Sequence, residues 1–165
     1  MAYDWENESR KEGGNQADRL PPGEHTLLAA RAIYGKQDGR LFTSRHGDPQ
    51  VMLVFVNSKQ QEAAQMFTLS DAAGWTVARL AAAMDPELPA LMKARDLHPR
   101  DLAEPEVLEY WLFHPSISGN PDSKGGFFKG RVSYSKSKTD ANKEYAEITP
   151  IRKEPDSSAG DDVPM

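Results

Sequence analysis

PQVMLVFVNSKQQEAAQMFTLS, residues 49–70, holds the clearest strand pattern of the chain and the point where it gives way to a helix. Residues 49–57 form a nearly continuous, valine-rich apolar run, the pattern of a strand buried on both faces. Ser58-Lys59-Gln60 is a short polar connection, and EAAQMFTLS (62–70) reads as a second strand, so the two predict a hairpin. The period changes at Ser70. That residue is a good helix N-cap, and Asp71 falls in the first turn, where a negative charge complements the helix dipole. Trp75, Ala78, Leu80, Ala82 and Met84 supply an apolar helix face, which Asp85-Pro86 ends. A second helix is predicted over 87–96, with Leu88, Leu91 and Met92 as its apolar positions.

Upstream, Gly23 and Gly35 bracket EHTLLAARAIY (24–34). The alanines permit a helix, but entry and exit through glycine favour a strand. Leu28, Ala30, Ala32 and Tyr34 then share one side, and Leu27, Ala29, Arg31 and Ile33 the other. GKQDGRLFTSRHGD (35–48) is a long basic loop. Residues 1–22 have no apolar period, end in Pro21-Pro22 and read as a flexible acidic arm carrying Tyr3 and Trp5.

Downstream, His98-Pro99 and Glu104-Pro105 break the chain. VLEYWLFH (107–114) alternates Val107, Glu109, Trp111 and Phe113 against Leu108, Tyr110 and Leu112, which predicts a strand stopped by Pro115. A turn-rich loop leads to FFKGRVSYSK (127–136) and YAEITPI (145–151), a second hairpin joined by SKTDANKE. Residues 152–165 are polar, contain proline and have the composition of a disordered acidic tail.

Strand, long loop, hairpin, helical segment and three more strands is the order of a mainly β OB-fold. This is a partly open barrel, here of five or six strands, with a helical insertion between strands three and four. The barrel is assigned to residues 23–151, between the arm 1–22 and the tail 152–165. In such a barrel the ligand face lies on strands two and three, flanked by the loop after strand one and the loop between strands four and five. Those loops correspond to 35–48 and the region around 116–144.

Bases and aromatics gather at both places. Residues 123–143 carry six bases and one acid, although the whole chain has a formal net charge of −5. The negative excess lies in the two ends, with five acids against three bases in 1–20 and four against two in 152–165. Cations on long stems beside flat rings suit a polyanion with exposed bases, because phosphates pair with the cations and bases stack on the rings. The expected cationic contacts are Lys36, Arg40 and Arg45 from the first loop, and Lys124, Lys129, Arg131, Lys136 and Lys138 from the second region. Phe42, Phe127, Phe128 and Tyr134 have polar or basic neighbours and are the stacking candidates. Phe55, Phe67, Trp75, Trp111 and Phe113 lie in apolar surroundings and are expected in the core.

Enzyme signatures are weak. Gly125, Gly126 and Gly130 suggest a phosphate loop, but no Gly-Lys-Ser/Thr follows. His25, His46, His98 and His114 show no paired metal-ligand spacing. Asp122-Ser123-Lys124 matches half of a nuclease motif, yet sits in a turn-rich loop without an upstream acidic partner. No catalytic residue, cofactor or metal is expected. The chain has no cysteine, which fits a reducing cytoplasm, and no apolar run of the ~20 residues a membrane helix needs.

The last five residues, Asp161-Asp162-Val163-Pro164-Met165, resemble the acidic C-terminal tip of bacterial single-stranded DNA-binding proteins. In that family two aspartates precede an aliphatic residue, a proline and a terminal phenylalanine; this chain ends in methionine instead. A second resemblance, over about 22–151, is to small phage-borne proteins of the same type. It rests on Pro22-Gly23, the LVFVN strand and Tyr145-Ala146-Glu147-Ile148 running to Pro150. Together these resemblances imply a cytoplasmic, bacterial or phage-encoded protein. It would coat single-stranded DNA without sequence specificity and recruit replication and recombination proteins through residues 161–165. Self-association is compatible with that role. The rival expectation is a protein-interaction adaptor or DNA mimic on the same barrel.

Overall fold

The computed structural model describes residues 19–136 and 144–151. The valine-rich run becomes β2 (Gln50–Val56), paired antiparallel with β1 (Gly23–Ile33) on one edge and β3 (Glu62–Thr68) on the other. β1 is long enough to serve two partners. Its first half, Gly23–Leu27, pairs with β4 (Phe128–Lys136), which in turn pairs with β5 (Glu144–Pro150). The five strands run in the order β3-β2-β1-β4-β5 as an antiparallel, open sheet. Its two outer strands approach each other: the Ile148 N–H donates to Gln65 Oε1 at 2.7 Å, so the sheet curls toward a barrel-like form.

Alternation along the strands builds the core. Leu27 and Ala29 of β1, Val51, Leu53 and Phe55 of β2, Phe67 of β3, Val132 of β4 and Ile148 of β5 are all buried. Phe55 lies at its centre, edge-on to Phe67 at 6.3 Å and to Phe128 at 5.4 Å between ring centroids. Helices occupy the stretch between β3 and β4: α1 (Gly74–Met84), α2 (Leu88–Ala94), a 3-10 turn (Pro99–Ala103), α3 (Pro105–Leu112) and the single-turn α4 (Pro115–Ser118).

Several expectations are corrected here. Residues 107–114 are not a strand but the body of α3. Pro105 sits in its first turn beside Glu106, and Leu108, Trp111 and Leu112 form the i, i+3, i+4 stripe that is buried. The strand reading had to put Glu109 on the apolar side, whereas the helix leaves it at the edge of the stripe. With that strand removed, the count is five rather than six. Ser70 does not cap α1. Its Oγ accepts the Ala73 N–H at 3.2 Å in a turn, and the helix starts only at Gly74. The buried stripe of α1 is therefore Val77, Leu80, Ala81 and Met84; Ala78 is exposed and Trp75 is 59% exposed rather than in the core. α2 stops at Ala94 and buries Leu88, leaving Leu91 exposed.

The loop into β4 is pinned on α3. Lys124 N–H donates to the Tyr110 carbonyl at 2.7 Å, satisfying an acceptor at the helix end. Gly125 has to be glycine for steric reasons, since a Cβ there would lie 2.1 Å from the Leu112 carbonyl carbon. The domain also begins earlier than residue 23. Leu20 is fully buried and its N–H donates to the Glu62 carbonyl at 2.9 Å, so the last residues of the expected arm belong to the fold. Residues 1–18, the β4–β5 connection 137–143 and the tail 152–165 lie outside the described residues. Among the described residues no helix is long and apolar enough to cross a membrane.

Candidate nucleic-acid interface

An irregularity in β1 creates the site. Ala29 pairs with Phe55 and Arg31 with Val54, so the register slips by one residue between them. Before the slip Leu27 and Ala29 face the core; after it Ala32 and Tyr34 do, packed against the core cluster. Arg31 and Ile33 are thereby turned to the outer face. There they join Met52 and Val54 of β2 and Glu62 and Ala64 of β3 around a groove of about 660 Å³. Without the bulge, strict alternation would drive the Arg31 guanidinium into the core, where an unpaired charge is very costly.

The far wall of the groove comes from residue 19 and the β4–β5 hairpin: Arg19, Tyr134, Glu144, Tyr145 and Ala146. The Tyr134 hydroxyl donates to the Leu20 carbonyl at 2.6 Å, fixing the ring. The Arg19 guanidinium lies over that ring, 3.5 Å from its centroid, and pairs with Glu144 at 3.0 Å. Tyr145 is 57% exposed. On the opposite wall Arg31 donates through both terminal nitrogens to the two Glu62 carboxylate oxygens, each at 3.1 Å. The groove thus has an apolar floor (Ile33, Met52, Val54, Ala64), two guanidiniums, two carboxylates and two tyrosines.

The sequence-predicted contacts fall in different places. In the loop after β1, Lys36 and Arg45 are exposed, and neither has a carboxylate within ion-pair distance among the described residues. Arg40 is engaged by Asp38 at 2.7 Å, and that guanidinium holds the Asp38 carboxyl below the usual carboxylate range. Phe42 is half-buried and ties the loop to the strands, its N–H donating to the Tyr34 carbonyl and its carbonyl accepting from Gln50. Lys124 is exposed on the loop beside α3. Lys129 and Arg131 project from the outer face of β4, where Arg131 pairs with Glu24 at 2.8 Å; neither lines the groove. Lys136 is exposed at the end of β4, opposite Glu144. Lys138 and Asp161–Met165 lie outside the described residues.

Of the four stacking candidates, Tyr134 lines the groove, with one ring face already taken by Arg19. Phe127 is 57% exposed but stands apart, 5.6 Å from the His114 ring, beside a second hollow near the β2–β3 turn. Phe128 is corrected: it is 3% exposed and packs on Phe55 in the core, because the alternation of β4 turns 128, 130 and 132 inward. Sequence reasoning did not select Arg19, Arg31 or Tyr145 for the site. For Arg31 a signal existed, since a lone arginine on the buried side of a strand calls for a bulge.

Two histidines away from the groove serve local structure. His114 Nδ1 accepts the Ser116 N–H at 3.0 Å at the start of α4, and the His98 N–H donates to Asp101 at the start of the 3-10 turn. Among the described residues no three His, Asp or Glu side chains are grouped to hold a metal ion. The chain matches no protein-family model, and no curated protein is significantly similar to it.

Proposed function

We propose that this protein binds single-stranded DNA, largely without regard to sequence, in the groove over β1, β2 and β3. It would protect the strand during replication or recombination and recruit partner proteins through the acidic residues 161–165. The observation that carries the reading is the gathering of two guanidiniums and two tyrosines around one groove with an apolar floor. Arginines meet phosphates, Tyr145 offers a π-face to a base, and the apolar floor accepts unstacked bases that a duplex would keep inside. The OB-fold reading is supported by the strand order. A five-stranded sheet in which β1 pairs with both β2 and β4, and β5 returns toward β3, matches a partly open barrel with helices between strands three and four. On that reading the groove would correspond to the face that such barrels use for oligonucleotides.

One observation favours a second reading, an adaptor that uses the same groove for protein. Glu62 and Glu144 balance the charge of Arg31 and Arg19, which lowers the field available to a polyanion. A titration of fluorescein-labelled oligo-dT, oligo-rU and duplex at low salt separates the two. Binding of the single strands in preference to duplex is the expected result. Equal or absent binding overturns it in favour of the adaptor.

A further inference from the structure

Both arginines of the groove are engaged, and in a particular way. Arg31 holds Glu62 through two parallel N–H to oxygen contacts at 3.1 Å, the fork geometry that a guanidinium also makes with a phosphate. Arg19 is braced on Tyr134 and holds Glu144 at 3.0 Å. In all four residues of these pairs between 36% and 55% of the side-chain surface is exposed. Exposed pairs of this kind contribute little to stability, so the carboxylates can be exchanged at small cost. The two acids also come from separate strands, β3 and β5, on opposite walls of one groove.

We propose that Glu62 and Glu144 stand in for two phosphates of the bound strand. Glu62 holds Arg31 in the fork geometry, Glu144 holds Arg19 through a single contact, and each must swing aside when nucleic acid enters. The proposal rests on the single-strand reading above and adds a regulation to that site. The carboxylates preorganise the guanidiniums and at the same time set a threshold that weakly charged or singly placed anions do not cross. The displaced carboxylates stay beside the arginines and keep the local charge near zero, so fewer counterions leave the strand and the salt dependence of binding is shallower than the number of arginines suggests.

The test is fluorescence anisotropy of labelled oligo-dT across a salt series. It compares the full chain with Glu62→Gln, Glu144→Gln, the double variant and, as a charge-matched control, Glu106→Gln on the exposed side of α3. Glutamine keeps an acceptor oxygen but removes the charge. Each groove variant is expected to bind about three- to tenfold more tightly at low salt. The plot of log affinity against log salt should steepen by about 0.7 for each arginine released. Glu106→Gln should stay within about twofold of the parent. If the parent binds and the groove variants bind no more tightly, with the same salt slope, the guard is wrong while strand binding stands. Binding by the groove variants alone supports the guard and counts against strand binding by the parent. Absence of binding by every protein overturns both. Thermal midpoints of the two single variants identify any loss of fold, and because they act on different arginines, either one alone carries the test.

Discussion

The outer faces of β2 and β4 are built from similar strands and carry opposite characters. β4 alternates cleanly, with Phe128, Gly130 and Val132 buried and Lys129, Arg131 and Ser133 exposed. Its outer face is basic and polar, the surface of an ordinary solvated strand. On the β1–β2–β3 side the outer face is apolar: Ile33, Met52, Val54 and Ala64 floor it, and its charges are paired across it. A solvated sheet face has no need of that floor. If the single-strand reading holds, abundance of positive charge is a poorer pointer than unsupported apolar surface beside fixed guanidiniums and open rings, because bases need stacking partners as much as phosphates need cations.

Substitutions on the two faces should behave differently. The largest expected effect separates two adjacent rings. Phe128→Ala should cost about 3–5 kcal/mol of folding stability in urea unfolding, since its ring fills the core beside Phe55. Phe127→Ala, one residue earlier and 57% exposed, should change stability by no more than about 0.5 kcal/mol. Similar losses for both would mean that the alternation of β4 has been misplaced.

The next effect is on binding. Tyr145→Ala should weaken oligo-dT binding by about 1–3 kcal/mol, the range for loss of a base-stacking ring. Thermal stability should stay near that of the parent. On the other face, Lys129→Ala and Arg131→Ala should each change affinity by less than about threefold. A larger loss at Arg131 than at Tyr145 would move the site to β4.

The smallest expected effect concerns the other consequence of the β1 bulge, the inward turn of Tyr34. Its hydroxyl is buried without a hydrogen-bond partner among the described residues. Burial, with the Glu109 carboxylate nearby, pushes its pKa up from 10.0 to about 12. The folded chain therefore keeps a proton that the unfolded chain releases. Stability is full below pH 10 and declines as the pH rises toward about 12. Tyr34→Phe should remove that decline, as followed by urea midpoints at pH 9 and pH 11.5; an identical decline in the variant would assign it to other groups.

Much of the sheet was legible in the chain because period-2 patterns and turn residues are local. β2, β3, β4 and β5 fall within a residue or two of their sequence-predicted bounds. α3 was not legible as a helix, since VLEYWLFH satisfies alternation and the i, i+3, i+4 stripe alike. Pro105 in the first turn was the clue that separates them. The helix start at Gly74 was hidden for a related reason: Ser70-Asp71 is as good a turn as it is a cap, and only packing against the sheet chooses Val77, Leu80 and Met84 over Trp75 and Ala78. The candidate site was less legible than the fold. Arg31 reaches the surface through a register slip, and Arg19 joins through pairing between residues 19–20 and β3. Neither arrangement leaves a mark in composition.

Amide chemical-shift mapping during titration with oligo-dT decides where a single strand sits. Groove binding is expected to perturb Arg31, Ile33, Met52, Val54, Glu62, Ala64 and Tyr145, leaving Lys129, Arg131 and Ser133 unmoved. A cluster centred on Lys129, Arg131 and Ser133, with the β1–β2–β3 face unmoved, would contradict it.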